Sequence, residues 1–391
     1  MCAVEWKKLG EIAEYRRGSF PQPYGNKEWY DGEGAMPFVQ VADVEESGMK
    51  LKESTKQFIS TLAMPMSVFV PLGSVVVTLQ GSIGKVAITQ YDSYVDRTLG
   101  IFTNYSKNID KKYFAHQLLE IFSVKKKTAR GGTIKTITKE EFSQFEIPIP
   151  SLAKQQEIVS HLDTFTTLIS NLESELDMRR KQYEHYRNQL LDFEGVEGVE
   201  WKTLGEVAEY RRGSFPQPYG NEEWYNGEDA MPFVQVADVE EDGMKLKEST
   251  KQFISTLAMP MSVFVPQGSV VVTLQGSIGK VAITQYDSYV DRTLGIFTSY
   301  LINIDKKYFA HQLLKIFSIK KKIARGGTIK TITKEEFSQF VIPIPSSEIQ
   351  QEIVEKLDAF ENLIQSLEQE IKLRKQQYEY YREKLLTFEK E

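Results

Sequence analysis

The sequence predicts an α+β fold with two β-rich globular domains, joined and separated by two long helices that pack against each other as a coiled coil. The first observation is a repeat, because residues 4–150 recur as residues 199–345 with only 14 of 147 positions changed. The second is that both copies consist of short apolar runs broken by turns, and the third is a heptad pattern after each copy. The predicted segments are globular domains at 1–150 and 195–345 and helices at 151–194 and 346–391.

Composition is typical of a globular protein rather than of a disordered or membrane-spanning one. Of the 391 residues, 41% are hydrophobic and 26% are charged, and no apolar run approaches the ~18–20 residues that a membrane span needs. The N-terminus lacks the apolar core of a signal peptide, and the single cysteine, Cys2, excludes an internal disulfide. Both observations predict a cytoplasmic location.

The net charge of −6 does not exclude a polyanionic partner, because the charge is unevenly distributed. Residues 1–150 contain 19 basic and 17 acidic side chains, a balance of +2, whereas residues 151–198 contain 5 and 9, a balance of −4. Residues 122–139 carry six cations and no acid. Such a run either forms a solvated face or binds phosphate.

Each globular copy is predicted to contain mostly antiparallel strands with two helices. The strand signals are β-branched and aromatic runs punctuated by Gly and Pro, at residues 36–44, 67–82, 84–91 and 99–105. A helix is predicted over residues 111–127, whose apolar positions fall on one face, and a second begins at the capping residue Thr138. The Ile-Pro-Ile-Pro sequence at 147–150 ends the domain, because proline cannot continue a helix.

The two long helices are predicted from apolar residues that recur at alternating spacings of four and three, the seam of a coiled coil. Its main positions are Ile158, Leu162, Phe165, Ile169, Leu172 and Leu176, repeated as Ile353, Leu357, Phe360, Ile364, Leu367 and Ile371. The pattern continues through Arg179, Tyr183, Tyr186, Leu190 and Phe193 and their counterparts. Without Gly or Pro from 151 to 193, one helix of 43 residues would extend ~65 Å.

The two kinds of segment have diverged differently. Ten of eleven seam positions are identical between the helices, but only 13 of the other 32 aligned positions match, which predicts that the seam is buried, most simply against the other helix of the same chain. The 14 exchanges in the globular copies, such as Lys27 for Glu222 and Glu120 for Lys315, mostly have the character of surface substitutions. Recent duplication alone would account for the globular identity, but not for the greater drift of the helix exteriors, unless the helical segments came from different sources.

No arrangement typical of catalysis is present. The four histidines do not combine with the cysteine or with acids at metal-ligand spacing, and the lone cysteine has no thiol partner. The Gly-Ser-Ile-Gly-Lys turn at 81–85 lacks the upstream glycine and the Ser/Thr of a phosphate-binding loop, and no G-x-G-x-x-G turn occurs. We therefore predict no enzymatic activity, no bound cofactor and no metal for this chain by itself.

Four polar turns in each copy carry the residue types that contact nucleic acid. Arg and Gln make bidentate contacts with base edges, and Ser, Thr, Lys and glycine-flanked amides bind phosphates. Each turn alone is weak evidence, since Arg-Gly turns are more often structural. The predicted DNA-binding residues are Arg16, Arg17, Gln22, Tyr24, Gln80, Ser82, Lys85, Arg130, Thr133 and Lys135, with Arg211, Arg212, Gln217, Tyr219, Gln275, Ser277, Lys280, Arg325, Thr328 and Lys330 in the second copy.

The junction between domain and helix resembles that of specificity subunits of type I restriction-modification systems. The resemblance rests on Gly-Gly-Thr, the Lys-Glu-Glu-Phe helix start, the Ile-Pro-Ile-Pro stop and Gln155-Gln-Glu-Ile158, all within residues 131–163 and again within 326–358. Residues 81–88 also resemble the family's mid-domain motif, and the order domain–helix–domain–helix covers the whole chain.

The resemblance implies a non-catalytic subunit that reads a bipartite double-stranded DNA target, one half-site per domain. It also implies that the two helices form a pseudo-two-fold antiparallel coiled coil whose length sets the gap. It further implies methylation subunits as partners, two of them, which bind S-adenosylmethionine, and optionally restriction subunits. The family usually has two dissimilar domains, whereas these two nearly match, which predicts an inverted repeat as target. The alternatives are a coiled-coil scaffold whose β-rich domains bind proteins, and a self-sufficient methyltransferase, for which the catalytic motifs are missing.

Overall fold

The computed structural model describes residues 4–23, 25–46, 48–128, 142–218, 220–241, 243–323 and 334–389. It divides into two compact units, one of Met1–Glu175 with Glu368–Glu391 and the other of Leu176–Leu367. Two long helices, α3 (Leu152–Leu190) and α7 (Ser347–Leu386), contribute to both units. Each unit therefore combines one globular copy with a part of each long helix.

The globular copy of the first unit is α+β. Its described strands are β1 (Glu5–Lys8), β2 (Glu14–Arg17), β3 (Met36–Val39), β4 (Gln57–Ile59), β5 (Val68–Val70), β6 (Val75–Thr78), β7 (Val86–Ile88), β8 (Ser93–Val95), β9 (Leu99–Thr103) and β10 (Glu146–Ile149), with helices α1 (Leu9–Ile12) and α2 (Lys111–Thr128). They form sheets of order β2-β9-β6-β7 and β4-β3-β8-β5 and a ribbon β1-β10. The pair β3·β8 is parallel and the other pairs are antiparallel, which confirms the predicted fold class.

The second unit repeats this arrangement. Its described elements are β11 (Glu200–Thr203), α4 (Leu204–Val207), β12 (Ala208–Arg212), β13 (Met231–Val234), β14 (Gln252–Ile254), β15 (Val263–Val265), β16 (Val270–Thr273), β17 (Val281–Ile283), β18 (Ser288–Val290), β19 (Leu294–Tyr300), α5 (Lys306–Ile323), α6 (Lys334–Ser338) and β20 (Val341–Ile344). Helix α6 confirms the predicted second helix in this copy, whereas its predicted start in the first copy, Thr138, lies outside the described residues.

Strand β6 lies at the centre of the first core, and its three valines explain the layering. Val75 and Val77 point to one side, into the cluster formed with helix α2, while Val76 points to the other, into the cluster between the two four-stranded sheets. This alternation follows from the period of two in a strand. All three valines are fully buried, and each such side chain stabilises the fold by roughly 1.5–3 kcal/mol.

The Ile-Pro-Ile-Pro segment ends the domain as a strand, which the proline pattern did not indicate. Strand β10 pairs antiparallel with β1, so that Pro148 lies opposite Trp6 and Ile147 opposite Lys7. A two-stranded ribbon tolerates proline, because one side of each strand needs no ladder hydrogen bond. The ribbon therefore joins the first and last strands of the domain immediately before the long helix begins.

The predicted seam packs helix against helix within each unit. In the first, the Phe165 and Tyr381 rings stack at 5.4 Å, and Glu173 pairs with Lys375 at 2.7 Å. From Phe165 to Glu173 along α3, the contacted residue on α7 changes from Tyr381 back to Lys375, so the helices are antiparallel. The second unit contains an equivalent stack, Tyr186 on Phe360 at 5.4 Å. Of the predicted seam residues, Tyr186 and Tyr381 are exposed and the others are buried or half-buried.

The helices end earlier than predicted, at Leu190 and Leu386. Phe193 lies beyond the end of α3 and is buried in a cluster with Tyr308 and Ile353 of the same unit. Among the described residues, no helix is both long and apolar enough to cross a membrane.

A buried glutamine fastens each long helix to its domain. The Gln155 side-chain oxygen accepts from the Asp110 N–H at 2.8 Å, and its amide donates to the carbonyls of Asn108 at 2.9 Å and Pro150 at 2.8 Å. Gln350 makes corresponding bonds to Asp305 and Pro345. These contacts explain why a glutamine outside the seam is identical in both helices, since a buried amide requires its partners.

One fully buried histidine on each domain helix leads to a prediction about pH. Burial lowers the pKa of His116 to about 4 and that of His311 to about 3, with Arg382 and Arg187 nearby opposing protonation and Asp163 and Asp358 favouring it. Neither ring has a hydrogen-bond partner among the described residues. In the unfolded chain a histidine binds a proton near pH 6.5, well above either folded pKa. The stability that each neutral, buried histidine contributes is therefore fully present above pH 6.5 and is lost as the pH falls towards 4.

We expect the melting midpoint to fall between pH 7.5 and pH 5.0 by more in the wild type than in a His116→Met, His311→Met variant. The extra loss in the wild type should correspond to a free energy of unfolding of about 2 kcal/mol for each histidine. Thermal unfolding at both pH values measures it, and replacement of the exposed His161 and His185 is the control. Equal pH dependence in the wild type and the buried-histidine variant would contradict the assignment.

Candidate nucleic-acid interface

The first polar turn is held rigidly. The exposed Arg16 donates from Nη2 to the Phe69 carbonyl at 2.9 Å, and Arg17 is exposed on the same strand, with a contact to Tyr15. Gly18, the next residue, is buried, and a Cβ there would lie 2.3 Å from the Val95 carbonyl oxygen. The glycine therefore permits close packing rather than motion.

The Gln-Pro-Tyr turn follows directly. Gln22 and its counterpart Gln217 are exposed, each before a cis-proline. The Trp29 indole donates to the Pro23 carbonyl at 3.1 Å, which anchors the turn. Tyr24 and Tyr219 lie outside the described residues.

The Gly-Ser-Ile-Gly-Lys turn joins β6 to β7 and is closed by its own backbone. The Thr78 N–H donates to Lys85 O and the Gly84 N–H donates to Thr78 O, both at 2.9 Å. Gly84 has φ +83°, and a Cβ there would lie 2.6 Å from the Phe122 ring, so this glycine serves helix–strand packing. Gln80 and Ser82 project from the turn and are exposed, and in the second copy Gln275 is half-buried and Ser277 exposed.

The lysine of this turn has protein partners. The Lys85 ammonium pairs with the Glu46 carboxylate and lies 3.5 Å from the Val44 carbonyl, and its side chain is only 14% exposed. Lys280 pairs with Glu241 in the same way. A lysine already neutralised by a carboxylate is less available to a phosphate, so the ion pair favours a structural contribution from Lys85.

An exposed arginine that sequence reasoning missed lies between these turns. The Arg97 guanidinium lies 4.4 Å from the centroid of the Phe20 ring, and Arg292 lies 4.5 Å from that of Phe215. The neighbouring Asp96 carboxylate accepts from the Thr98 N–H and hydroxyl. The signal that could have identified this arginine is an Asp-Arg-Thr turn between two strands, identical in both copies.

Backbone hydrogen bonds bring three of these turns together in each unit. In the first, the Ser19 N–H donates to Val95 O at 2.9 Å and the Leu79 N–H donates to Thr98 O at 2.8 Å. The Arg97 turn is therefore flanked by Ser19 on one side and by the Gln80 turn on the other. We call this surface the polar face, formed by Ser19, Gln80 and Arg97, and by Ser214, Gln275 and Arg292 in the second unit. Arg130, Thr133, Lys135, Arg325, Thr328 and Lys330 lie outside the described residues.

The polar face has the chemistry of a recognition surface rather than of a reaction centre. It presents an amide and a guanidinium from turns that are fixed by backbone hydrogen bonds, and such donors and acceptors read the edges of bases. Two nearly identical domains, each attached to a paired helix, present the same candidate recognition surface twice.

The comparisons with known proteins identify the class. Residues 3–178 and 196–373 match the family described as type I restriction modification DNA specificity domain, and the chain belongs to this family. The chain is 38% identical over 267 residues to the Escherichia coli type I restriction enzyme EcoR124I/EcoR124II specificity subunit. The aligned region covers 64% of this chain and 65% of that protein. The chain is 29% identical over 226 residues to the E. coli EcoprrI specificity subunit, covering 54% and 55%. The chain thus spans somewhat less than two thirds of the length of these relatives.

Solved structures agree on the fold. A chain from a study of complex assembly and conformational transition of the type I R-M system superimposes with a TM-score of 0.67 at 17% identity, covering 99% of this chain and 98% of that one. The S subunit from M. genitalium gives a TM-score of 0.57 at 14% identity, covering 100% and 98%.

Proposed function

We propose that this chain is the DNA sequence-specificity subunit of a type I restriction-modification complex and that it reads a bipartite target. The observation that carries the proposal is the duplication of the polar face in a chain of this family. Residues 1–150 and 195–345 would act as target-recognition domains, and residues 151–194 and 346–391 as spacer helices. In the first domain, Arg16, Arg17, Gln22 and Ser82 would contact DNA beside Gln80 and Arg97.

The partners follow from the same proposal. Two methylation subunits would bind this chain and supply S-adenosylmethionine for transfer of a methyl group to DNA, and restriction subunits would join for cleavage. This chain would contribute no catalytic group and bind no cofactor of its own, and the complex would act in the cytoplasm. The acidic net charge is compatible with this role, because the other subunits would also contribute DNA contacts.

We expect the methylated sequence to be an interrupted inverted repeat. The members of the polar face are identical in the two domains, so both domains should select the same half-site, one on each strand. Sequencing of methylated bases in DNA from cells that express this chain with its methylation subunit measures the motif, and cells without this chain are the control. An asymmetric motif would contradict the equivalence of the domains, and the absence of any new motif would contradict the proposed function itself.

A further inference from the structure

Glu120 and Lys315 occupy the same repeat position with opposite charges, and the structure shows that this exchange is not a surface substitution. Glu120 lies on α2 and is only 9% exposed. Its carboxylate accepts from Arg382 Nε at 3.1 Å, and the same guanidinium donates to the Ser123 hydroxyl at 3.2 Å. Next to it, the Gln117 amide donates to the Leu386 carbonyl at 3.1 Å. In the first unit, the end of α7 is thus held by a buried anion.

The second unit has a cation in the corresponding place. Lys315 on α5 donates to the Leu191 carbonyl at 2.9 Å and pairs with the Asp192 carboxylate at 3.3 Å. Gln312 donates to the same carbonyl at 3.4 Å. Asp192 corresponds in the repeat to Thr387, so both members of the junction differ between the two units.

The arginine at these helix ends is identical, and its bonding changes with the partner. Arg382 bonds to Glu120 in the first unit, whereas Nε of its counterpart Arg187 is buried and has no hydrogen-bond partner among the described residues. If the junctions were exchanged, Lys315 would meet Arg382 with no carboxylate at position 387, and Glu120 would meet Asp192. Both exchanged junctions would place like charges together, with Arg187 the remaining cation beside Glu120 and Glu379 the remaining anion beside Arg382, and like charges in a mostly buried place are costly.

We propose that positions 120, 192, 315 and 387 form a charge code that assigns each globular domain to one of two otherwise equivalent helix ends. The domains differ at only 14 of 147 positions and the seams at one of eleven, so apolar packing discriminates poorly between the two ends. With this code, the first half of the chain packs better against the second half than against another copy of the first half. The code acts on the assembly of the fold and is independent of DNA reading.

Two charge-exchanged variants of the full chain test the code. The half exchange is Glu120→Lys with Lys315→Glu, which mismatches both junctions without changing composition. The full exchange adds Asp192→Thr and Thr387→Asp, so each unit acquires the residues that the other unit now has. The matched control is Lys27→Glu with Glu222→Lys, an equivalent charge exchange at exposed positions.

We expect the half exchange to lower the melting midpoint by roughly 5–10 °C and to speed amide exchange at residues 379–388 and 187–193 at least about tenfold. The full exchange should restore both quantities to near wild type, and the control should change neither. Restoration of stability in the full exchange is the decisive observation. If these positions were buried but carried no charge code, four substitutions would be tolerated no better than two. A full exchange that is no more stable than the half exchange would overturn the code. If the half exchange does not fold, a folded full exchange supports the code and an unfolded one overturns it.

Discussion

Deletion of one heptad from each long helix is expected to leave both half-sites of the DNA target unchanged and to shorten or abolish recognition of the original gap. Residues 170–176 and 370–376 are the suitable segments, because Glu173 lies opposite Lys375 and the seam closes in register after the cut. Seven residues shorten a helix by about 10.5 Å. At ~3.4 Å per base pair, this equals about three base pairs of DNA.

The measurement is the methylated motif, or binding to a set of duplexes whose gap varies one base pair at a time. Recognition at the original gap should fall by orders of magnitude, because one domain can no longer reach its half-site in register. The chain supplies a length-preserving control: residues 170–176 replaced by their repeat counterparts 365–371, which keep the seam apart from one Leu-to-Ile change. An unchanged gap in the deletion variant would mean that the helices do not set the separation.

This prediction draws on the part of the fold that local sequence determines best. A heptad pattern depends on residues three and four apart, so its buried face can be identified without knowledge of the partner. The same is true of the valine-rich strand β6 and of helix α2, whose buried residues Phe114, Leu118 and Phe122 share one face. Where burial is set by near neighbours, sequence reasoning was sufficient.

The features that sequence reasoning missed depend on partners that are distant in the sequence. Strand β10 pairs with β1, about 140 residues earlier, and nothing within an Ile-Pro-Ile-Pro sequence indicates that partner. Glu120 was expected on the surface, because an acid exchanged for a lysine is usually exposed, but it is buried by Arg382, 262 residues away. Lys85 likewise meets Glu46 across 39 residues. In each case the contact that decides the role lies beyond any local window.

The polar face contains one residue that local sequence identified and one that depends on distant partners. Gln80 was identified because glutamine in an exposed turn is suited to reading adenine. Arg97 was missed because its significance depends on Phe20 beneath it and on Ser19 and Gln80 at its sides, which only the folded chain brings together. A guanidinium held over an aromatic ring loses little further freedom on binding, so we propose that this arginine contacts bases together with the glutamine.

Replacement of both turn glutamines, Gln80→Ala with Gln275→Ala, is therefore expected to reduce discrimination between cognate and random DNA more than total affinity. One bidentate base contact contributes about 1–3 kcal/mol of discrimination, so the loss of two should lower the cognate-to-random ratio by about thirtyfold or more. The neighbouring Thr78, Leu79 and Gly84 backbone bonds do not involve the glutamine side chain, so the turn should keep its shape.

Competition binding with cognate and random duplexes at fixed salt measures the ratio. The matched control is Gln144→Ala with Gln339→Ala, exposed glutamines of which the first bonds to Lys8 beside the β1-β10 ribbon. A contrasting variant, Lys135→Ala with Lys330→Ala, should weaken binding to both duplexes equally and reduce the salt slope by about one for each lysine lost. Equal losses on cognate and random DNA from the Gln80 and Gln275 changes would assign these glutamines to backbone contact and remove them from base reading.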